Sequence, residues 1–525
     1  MSQDAQERYQ KLLAQLGQLS NSQPELALTN LDKLLSQRAG DPNFLHLKGL
    51  ALANLGRHRE AVDVMSASLK VHAEQPELHN NLGNSYKSLA DAERAEHHYR
   101  QALSLRPDYV DALKNLALLL LARAEFGAAE DCLQKALALA PQNASLLTAL
   151  GNVHREQENY PEAIRCYRAA LDQRPDYVNA LHNLGLSYKL NEDPAAACAC
   201  FERAAALAPQ QEEIDLNWGN AAFELGDYAQ AESLYRRAID KSPGYVLAHE
   251  TLSELQWQLG REDRFTETYR VALQQRPDDM ALRHSLVKLL INSRHFAEAR
   301  ELVNESLGVA RTAALLRASG ELYANDRDYQ RARVSFQAAM AMEPSQDTAH
   351  DLARLLIIEG DYAEALNVLE NLRTADPDNQ LTWALIATCW RLQGDPRYAW
   401  LIDYQRDVRV LTLNTPPGYT NLEQFLEALR EVLLAMHSTQ AAPMRQTLVS
   451  GTQTPGRLLH KPDPVIQQYR ALLAEAVADY IAGMPDDPEH PLFSRKSPNF
   501  EFSGSWSVRL YSGGYHVNHV HPEGW

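Results

Sequence analysis

The chain has 525 residues, 45% hydrophobic and 23% charged, which is ordinary for a folded protein but too long for one compact core. Its 51 basic and 68 acidic residues give a net charge of −17, and an acidic surface disfavours binding to nucleic acid. The sequence has neither a secretory signal at its start nor an apolar run of the roughly 20 residues that a membrane span needs. We therefore expect a cytoplasmic protein without a membrane partner.

Four kinds of residue recur every 34 residues along the first part of the chain. The columns are Pro107, Pro141, Pro175, Pro209, Pro243 and Pro277; Ala27, Ala61, Ala95, Ala129, Ala163, Ala197 and Ala231; Tyr99, Leu133, Tyr167, Phe201, Tyr235 and Tyr269; and Gly49, Gly83, Ala117, Gly151, Gly185 and Gly219. Small residues are expected where two helices cross closely, aromatic residues where hairpins need filling, and proline where a helix ends. The columns predict stacked helical hairpins over residues 1–400, about 10 to 11 in number.

The columns are weaker after residue 277, where the spacing is 33 or 34 residues and Arg311 replaces one proline. Ala299, Ala332 and Ala365 keep the small position, so repeats are still expected there. Trp383, Trp390 and Trp400 are interpreted as core residues or as an apolar plug that closes the stack. The whole pattern resembles the tetratricopeptide repeat, which implies a mostly α-helical fold, a right-handed superhelical solenoid with a protein or extended peptide in its concave groove.

Asparagine residues stand two places before the small position in four repeats, at Asn81, Asn115, Asn183 and Asn217. Asparagine offers both a donor and an acceptor, so such a ladder is suited to pairing with peptide amide groups. Alternatively, these side chains only satisfy neighbouring helix backbones. The segments RPDYVDALKNLALLL and RPDYVNALHNLGLSYKL look like the repeats of O-linked N-acetylglucosamine transferases, where a similar ladder occurs. No sugar-nucleotide domain of such a transferase is expected after residue 400.

Three of the five cysteines, Cys132, Cys166 and Cys200, also follow the period of 34 residues. Equivalent positions of successive repeats lie farther apart than the shared ligand distance of about 2.3 Å to a zinc ion allows. The pattern indicates small buried residues in a helix interface, and Cys198 is interpreted in the same way.

The repeat period ends near residue 400, and Pro416, Pro417 and Gly418 mark a break. We expect a linker and one amphipathic helix over 401–445, with the helix at 420–437, and a separate domain over 446–525 with a helix at 464–483. Residues 438–454 are interpreted as irregular. Alternation from Trp506 to Tyr511 predicts a half-buried strand, the run 512–514 a turn, and residues 515–521 a second strand.

Three histidines lie in the last predicted strand, which makes it the densest metal-capable segment of the chain. Residues two apart in a strand share a face, so His519 and His521 are the predicted metal ligands, whereas His516 and Glu523 are weaker candidates. Imidazoles suit iron, zinc, copper or nickel, and a non-haem Fe(II) oxygenase uses two histidines and one carboxylate. Structural or surface histidines are the alternative.

The stretch from GTQT at 451–454 to SWSVRL and GGYHVNHVHPEGW resembles a bacterial family of 2-oxoglutarate/Fe(II) oxygenases often joined to tetratricopeptide repeats. The resemblance implies the start of a double-stranded β-helix, or jelly-roll, domain that binds Fe(II) and 2-oxoglutarate, with His519 and His521 on the HxH element. Most such enzymes have HxD here, so the carboxylate is replaced, supplied by Glu523 or absent. The distal ligand and the 2-oxoglutarate-binding residue are expected in later strands, so we interpret the sequence as truncated and inactive as it stands.

These patterns predict a repeat scaffold that recruits a protein substrate to an iron-dependent oxygenase, a hydroxylase, with neither the substrate protein nor the oligomeric state specified. A cupin-type metal domain is one alternative, since Gly513 followed by HxH also matches the start of that family's first motif. A non-catalytic interaction scaffold is the other.

Overall fold

The computed structural model describes residues 3–444 and 448–516, which belong to two compact units that divide between Pro209 and Gln210. Helices dominate both units, which confirms the predicted mostly α-helical class. Within the described ranges, no helix is long and apolar enough to cross a lipid bilayer.

The first unit consists of helices in successive pairs, each pair an antiparallel hairpin of the predicted length. The helices are α1 (Gln3–Ser22), α2 (Pro24–Gln37), α3 (Pro42–Asn54), α4 (His58–Val71), α5 (Pro76–Ser88), α6 (Ala92–Leu105), α7 (Val110–Ala122), α8 (Phe126–Leu139), α9 (Ala144–Glu156), α10 (Tyr160–Gln173), α11 (Val178–Leu190) and α12 (Pro194–Leu207). Polar caps start several of them: the Asp41 carboxylate, for example, accepts hydrogen bonds from the backbone N–H groups of Asn43 and Phe44.

The second unit continues the hairpins and then changes character. Its helices are α13 (Glu212–Glu224), α14 (Tyr228–Lys241), α15 (Val246–Gln258), α16 (Glu267–Gln275), α17 (Met280–Asn292), α18 (Phe296–Val309), α19 (Ala313–Asn325), α20 (Tyr329–Met342), α21 (Gln346–Glu359), α22 (Tyr362–Ala375), α23 (Gln380–Gln393), α24 (Arg397–Leu401), α25 (Tyr404–Asp407), α26 (Leu422–Met436) and α27 (Pro464–Ala482). Two strands, β1 (Leu448–Gln453) and β2 (Val508–His516), and two short 3-10 helices, Leu458–His460 and Phe493–Arg495, complete its described part.

A left-handed residue ends the first helix of nearly every hairpin, in a column that the sequence reasoning missed. These residues have φ between 58° and 83° and are Gly56, Ala90, Ala124, Glu158, Glu192, Gly226, Gly260, Arg294, Arg327, Gly360 and Gly394. The backbone reverses at this position, where glycine is favoured but not required. The column extends to residue 394, so the hairpins continue well beyond residue 277.

The small column packs directly against the aromatic column inside each hairpin. Rings of Tyr99, Tyr167, Phe201, Tyr235 and Phe336 lie against Gly83, Gly151, Gly185, Gly219 and Gly320. Where the small residue is Ala117 instead of glycine, the partner at the equivalent position is Leu133, and both are fully buried. The volumes of the two columns are therefore matched hairpin by hairpin.

The column cysteines and the late tryptophans have mostly the buried positions predicted for them. Cys166 and Cys200 are buried, and burial raises the pKa of each thiol to about 11. Trp390 is 4% exposed and packs in the core of the last hairpins. Trp400 differs: it is 37% exposed, and its ring lies against His490.

The helices predicted at 420–437 and 464–483 are confirmed as α26 and α27. They share an apolar cluster in which Phe425, Leu429 and Ile466 are buried. Between them, the prediction of irregular backbone is wrong for residues 448–453, which form β1 and pair antiparallel with β2.

The prediction of a turn at 512–514 between two strands is also wrong. Strand β2 is continuous from Val508 to His516, and both of its ends pair with β1. Val449 is opposite Tyr515 and Gly451 is opposite Leu510, so the single residue Ser450 faces residues 511–514. The glycines therefore form a wide bulge within one strand.

The predicted burial of an apolar strand face is not observed either. Trp506 and Leu510 are 38% and 48% exposed. The covered side of the sheet is polar instead, because His437 at the end of α26 hydrogen-bonds to Thr452 Oγ1 at 2.8 Å and Ser507 Oγ at 3.1 Å. In residues 448–516 the two strands form a ribbon, not a double-stranded β-helix.

Candidate peptide-binding site

The four asparagines predicted to bind a peptide all lie on the first helices of their hairpins and are half-buried. In the first unit Asn81 is on α5, Asn115 on α7 and Asn183 on α11, and in the second unit Asn217 is on α13. Their contact with a peptide stays a prediction, whereas their intramolecular partners are defined.

In the first unit, each of these asparagines is hydrogen-bonded to a side chain of the preceding hairpin. The pairs are Asn81 with His46 at 2.9 Å, Asn115 with Asn80 at 2.9 Å and Asn183 with Asn152 at 3.0 Å. These partners are side chains, not the helix backbones of the alternative interpretation. In Asn81 and Asn115 the amide nitrogen makes the bond, so the carbonyl oxygen Oδ1 is left to accept a hydrogen bond from a peptide N–H group.

A second asparagine column supports the first, and the sequence reasoning missed it. Asn84, Asn152 and Asn220 each follow the column glycine and accept a hydrogen bond from a tyrosine hydroxyl at 2.7–2.9 Å. Their recurrence every 68 residues was the available signal. Asn152 accepts from both Tyr167 and Asn183, so the buried tyrosine fixes the amide on which the ladder residue depends.

The second unit has a cavity of about 470 Å³ between the first helices α17 and α19, here called the trough. It is lined by Glu250, Ala281, His284, Ser285, Val287, Lys288, Ile291, Asn292, Ala314, Leu315, Arg317, Ala318 and Glu321. Glu250 accepts a hydrogen bond from Ser285 Oγ at 2.7 Å. Small side chains at 281, 285, 314 and 318 leave the space open.

Charged groups of opposite sign meet along one wall of the trough. Arg317 bonds through Nε to Asp351 at 2.6 Å and through Nη1 to Asp347 at 2.9 Å, and its Nε lies 3.4 Å from Glu321. Burial, and then the nearby Asp351 carboxylate, raise the pKa of Glu321 to about 7. A carboxyl group that titrates near neutral pH inside a cleft is a typical feature of a functional site.

An extended segment of the chain itself, residues 438–444, lies against the repeats of the second unit and is here called the clasp. The N–H groups of Gln440 and Ala441 donate to the backbone oxygen of Gln258 at 2.9 and 3.1 Å. The N–H group of Met444 donates to Glu254 Oε1 at 3.1 Å, and the Met444 side chain is buried in the core around α17. The first helix α15 therefore holds an extended segment through backbone contacts.

Replacing Met444 with alanine is expected to release the clasp. The side chain is 7% exposed, and loss of a buried methionine costs about 2–3 kcal/mol, which is more than a short segment with three backbone bonds retains. Hydrogen–deuterium exchange at Gln440, Ala441 and Met444 should accelerate strongly. Met342→Ala, at a position 49% exposed, serves as the control and should leave these amides unchanged; equal protection in both variants would contradict the clasp.

A second cavity, also about 470 Å³, lies where the clasp and the strands meet the repeats. Its walls include Trp257 and Arg294 from the repeats, Met444 from the clasp, and Gly451 and Tyr511 from the strands. Asn292 lines this cavity and the trough, so the two are adjacent.

The predicted metal ligands His519, His521 and Glu523 lie outside the described residues. His516 is the last described residue of β2. Over 3–444 and 448–516, no group of three or more histidine, cysteine, aspartate or glutamate side chains is arranged to hold a metal ion.

Family models for one kind of repeat match several parts of the chain. A model described as a TPR repeat matches residues 151–191, and models described as tetratricopeptide repeats match residues 80–144, 178–211, 216–279 and 324–389. No curated protein matches the chain.

Several solved structures are similar. PilF of Pseudomonas aeruginosa is 23% identical, with a TM-score of 0.34 over 39% of this chain and 94% of that chain. Yeast Tom70 is 14% identical, with a TM-score of 0.39 over 75% and 97% of the two chains. YrrB, described as a TPR protein with an unusual peptide-binding site, is 20% identical, with a TM-score of 0.31 over 36% and 98%. The helical hairpins of this chain are tetratricopeptide repeats, a scaffold for binding proteins or peptides.

Proposed function

We propose that the repeats bind an extended segment of a protein substrate and present it to a 2-oxoglutarate/Fe(II)-dependent oxygenase domain that begins with β1 and β2. The observation that carries the proposal is the adjacency of the trough and the second cavity, which leads from the repeats to the strand bulge. The bulge precedes the segment with the predicted ligands His519 and His521.

Peptide binding is supported by the first-helix side chains. Asn81 and Asn115 keep their carbonyl oxygens available, and their positions are those of the ladder in the resembled transferase repeats. The clasp supports it independently, because an extended segment is already bound to α15 through backbone N–H groups. Main-chain contacts of this kind bind peptides largely regardless of their sequence.

The oxygenase part of the proposal depends on the strand segment and its resemblance. Two histidines with one carboxylate, here Glu523 if it takes that place, are the donor set that non-haem iron accepts. When bound, Fe(II) and 2-oxoglutarate would supply the oxidation of a C–H bond. The described residues would have the tasks of binding the substrate, orienting it and lining its route to the strands.

Conversion of 2-oxoglutarate to succinate tests this function. With Fe(II) loaded anaerobically and oxygen then admitted, we expect the full-length protein to form succinate in the presence of a cell extract that contains its substrate. His519→Ala should abolish the reaction, whereas the control His72→Ala, at an exposed position of the first unit, should preserve it. Absence of succinate from the wild-type protein would leave a non-catalytic scaffold.

The cupin alternative uses the same two histidines but a different cofactor requirement. Metal-dependent turnover that needs no 2-oxoglutarate would favour it. Binding of one metal ion that His519→Ala and His521→Ala both prevent is expected under either domain type.

A further inference from the structure

We propose that the trough between α17 and α19 binds the side chain of a lysine or arginine in the extended segment of the partner. This inference rests on the proposed peptide binding and adds to it a side-chain preference at a defined place in the second unit.

The shape of the trough suits a long side chain together with its backbone. Ala281, Ser285, Ala314 and Ala318 line it with small side chains, so a peptide backbone is able to approach α17 and α19 closely. The cavity of about 470 Å³ has both apolar walls and charged groups, as a site for the stem and head of a basic side chain requires.

The charges around the trough favour a cation. Its lining and the adjoining helix α21 contain four carboxylates, at Glu250, Glu321, Asp347 and Asp351, and three basic groups, at Lys288, Arg317 and Arg354. Arg317 and Arg354 are already paired with aspartates. Burial lowers the pKa of His284, so this imidazole is neutral at pH 7. One carboxylate is thus left in excess, and an added cation balances it.

An equivalent position already holds an extended segment in this structure. Glu254 of α15 accepts the N–H group of Met444 in the clasp, and Glu321 of α19 stands 67 residues later, two repeats on. The same place on the first helix is therefore suited to contact with a chain that lies across the hairpins.

The titration of Glu321 provides a signature for the contact. Arg317 on its own helix, Asp347, Asp351 and Arg354 on α21, and Lys288 and His284 on α17 face it. With a pKa of about 7, Glu321 is mostly neutral at about pH 6 and mostly ionised at about pH 8. A cation binds the ionised form, so binding should strengthen about tenfold as the pH rises across this range.

Calorimetric titration of the whole protein with four capped alanine–glycine heptapeptides tests the site. The central residue is lysine, arginine, norleucine or glutamate. We expect lysine and arginine to bind more tightly than norleucine, and glutamate most weakly, with the rise toward about pH 8 confined to the basic peptides. Glu321→Gln should remove both the preference and its pH dependence, whereas Glu301→Gln, at an exposed position of α18, should retain both.

Equal binding of the lysine and norleucine peptides to the wild-type protein would overturn the subsite. So would an unchanged preference in a folded Glu321→Gln variant, or the absence of binding by every peptide at millimolar concentration. The succinate measurement decides the oxygenase function separately, so failure of the subsite is distinguishable from failure of that activity.

Discussion

Gly151→Ala is expected to lower the free energy of unfolding of the first unit by about 1–3 kcal/mol. A Cβ atom at this position would lie 2.6 Å from Cε1 and 2.9 Å from Cδ1 of Tyr167, too close for any van der Waals contact. Tyr167 is fully buried and its hydroxyl is bonded to Asn152, so the ring cannot move aside without loss of that bond. Urea unfolding followed by circular dichroism measures the change.

The chain itself contains the compensating pair. Ala117 and Leu133 occupy the same two positions one hairpin earlier, so Gly151→Ala combined with Tyr167→Leu should be more stable than the sum of the single changes predicts. Gly127→Ala is the matched control: a Cβ atom there meets nothing within 4 Å, and the variant should be about 0.5–1 kcal/mol more stable, as expected for alanine in a helix. A Gly151→Ala variant as stable as the wild type would refute the proposed volume match.

Asp215→Asn is expected to destabilise the second unit by about 3 kcal/mol. The carboxylate is completely buried, accepts two hydrogen bonds from Arg237, at 2.6 and 2.9 Å, and also forms an ion pair with Lys241. The Lys241 side chain is only 14% exposed, so its ammonium group would lose its counterion in a poorly solvated place. The same unfolding measurement detects the loss.

Asp240→Asn provides the comparison for this variant. Asp240 lies on the same helix, α14, but is exposed, and its change should alter stability by less than about 0.5 kcal/mol. Similar losses in the two variants would show that net charge, and not the buried ion pair, determines the effect.

Most of the repeat architecture could be predicted from sequence because its constraints are local and repeated. Each column residue has one steric task, as the Gly151–Tyr167 contact shows, and periodicity multiplies the signal. The hairpins beyond residue 277 were harder to see because several column residues change together: Gly185 and Phe201 become Val287 and Val303 two or more repeats on, which preserves packing but not residue type.

The ribbon and the clasp were missed because their contacts are long-range. Strand β1 contains Ser450 and Gly451, weak strand formers, and gains its structure only by pairing with residues about 60 positions later. Ser512, Gly513 and Gly514 have the composition of a hairpin turn, yet Ser450 holds them as a bulge. The clasp has no periodic pattern, and only its contact with Glu254 and Gln258 reveals its role.

The trough was missed because charge does not follow the columns. Glu250, Lys288 and Glu321 stand outside the small, aromatic and proline positions, and nothing in their spacing marks them as neighbours of Asp347 and Asp351. Their significance arises from the small residues beneath them, which sequence reasoning had assigned only to helix packing.

The fit between glycine and ring in one hairpin, and between alanine and leucine in the next, bears on how such a chain grows and diversifies. A gene duplication that copies both helices carries a compatible pair with it, whereas recombination between two helices would join an alanine to a tyrosine or a glycine to a leucine. The first joint is overcrowded and the second leaves a void. The heritable module is thus the whole hairpin, and drift on its outward faces is free to alter binding while this inner match is kept.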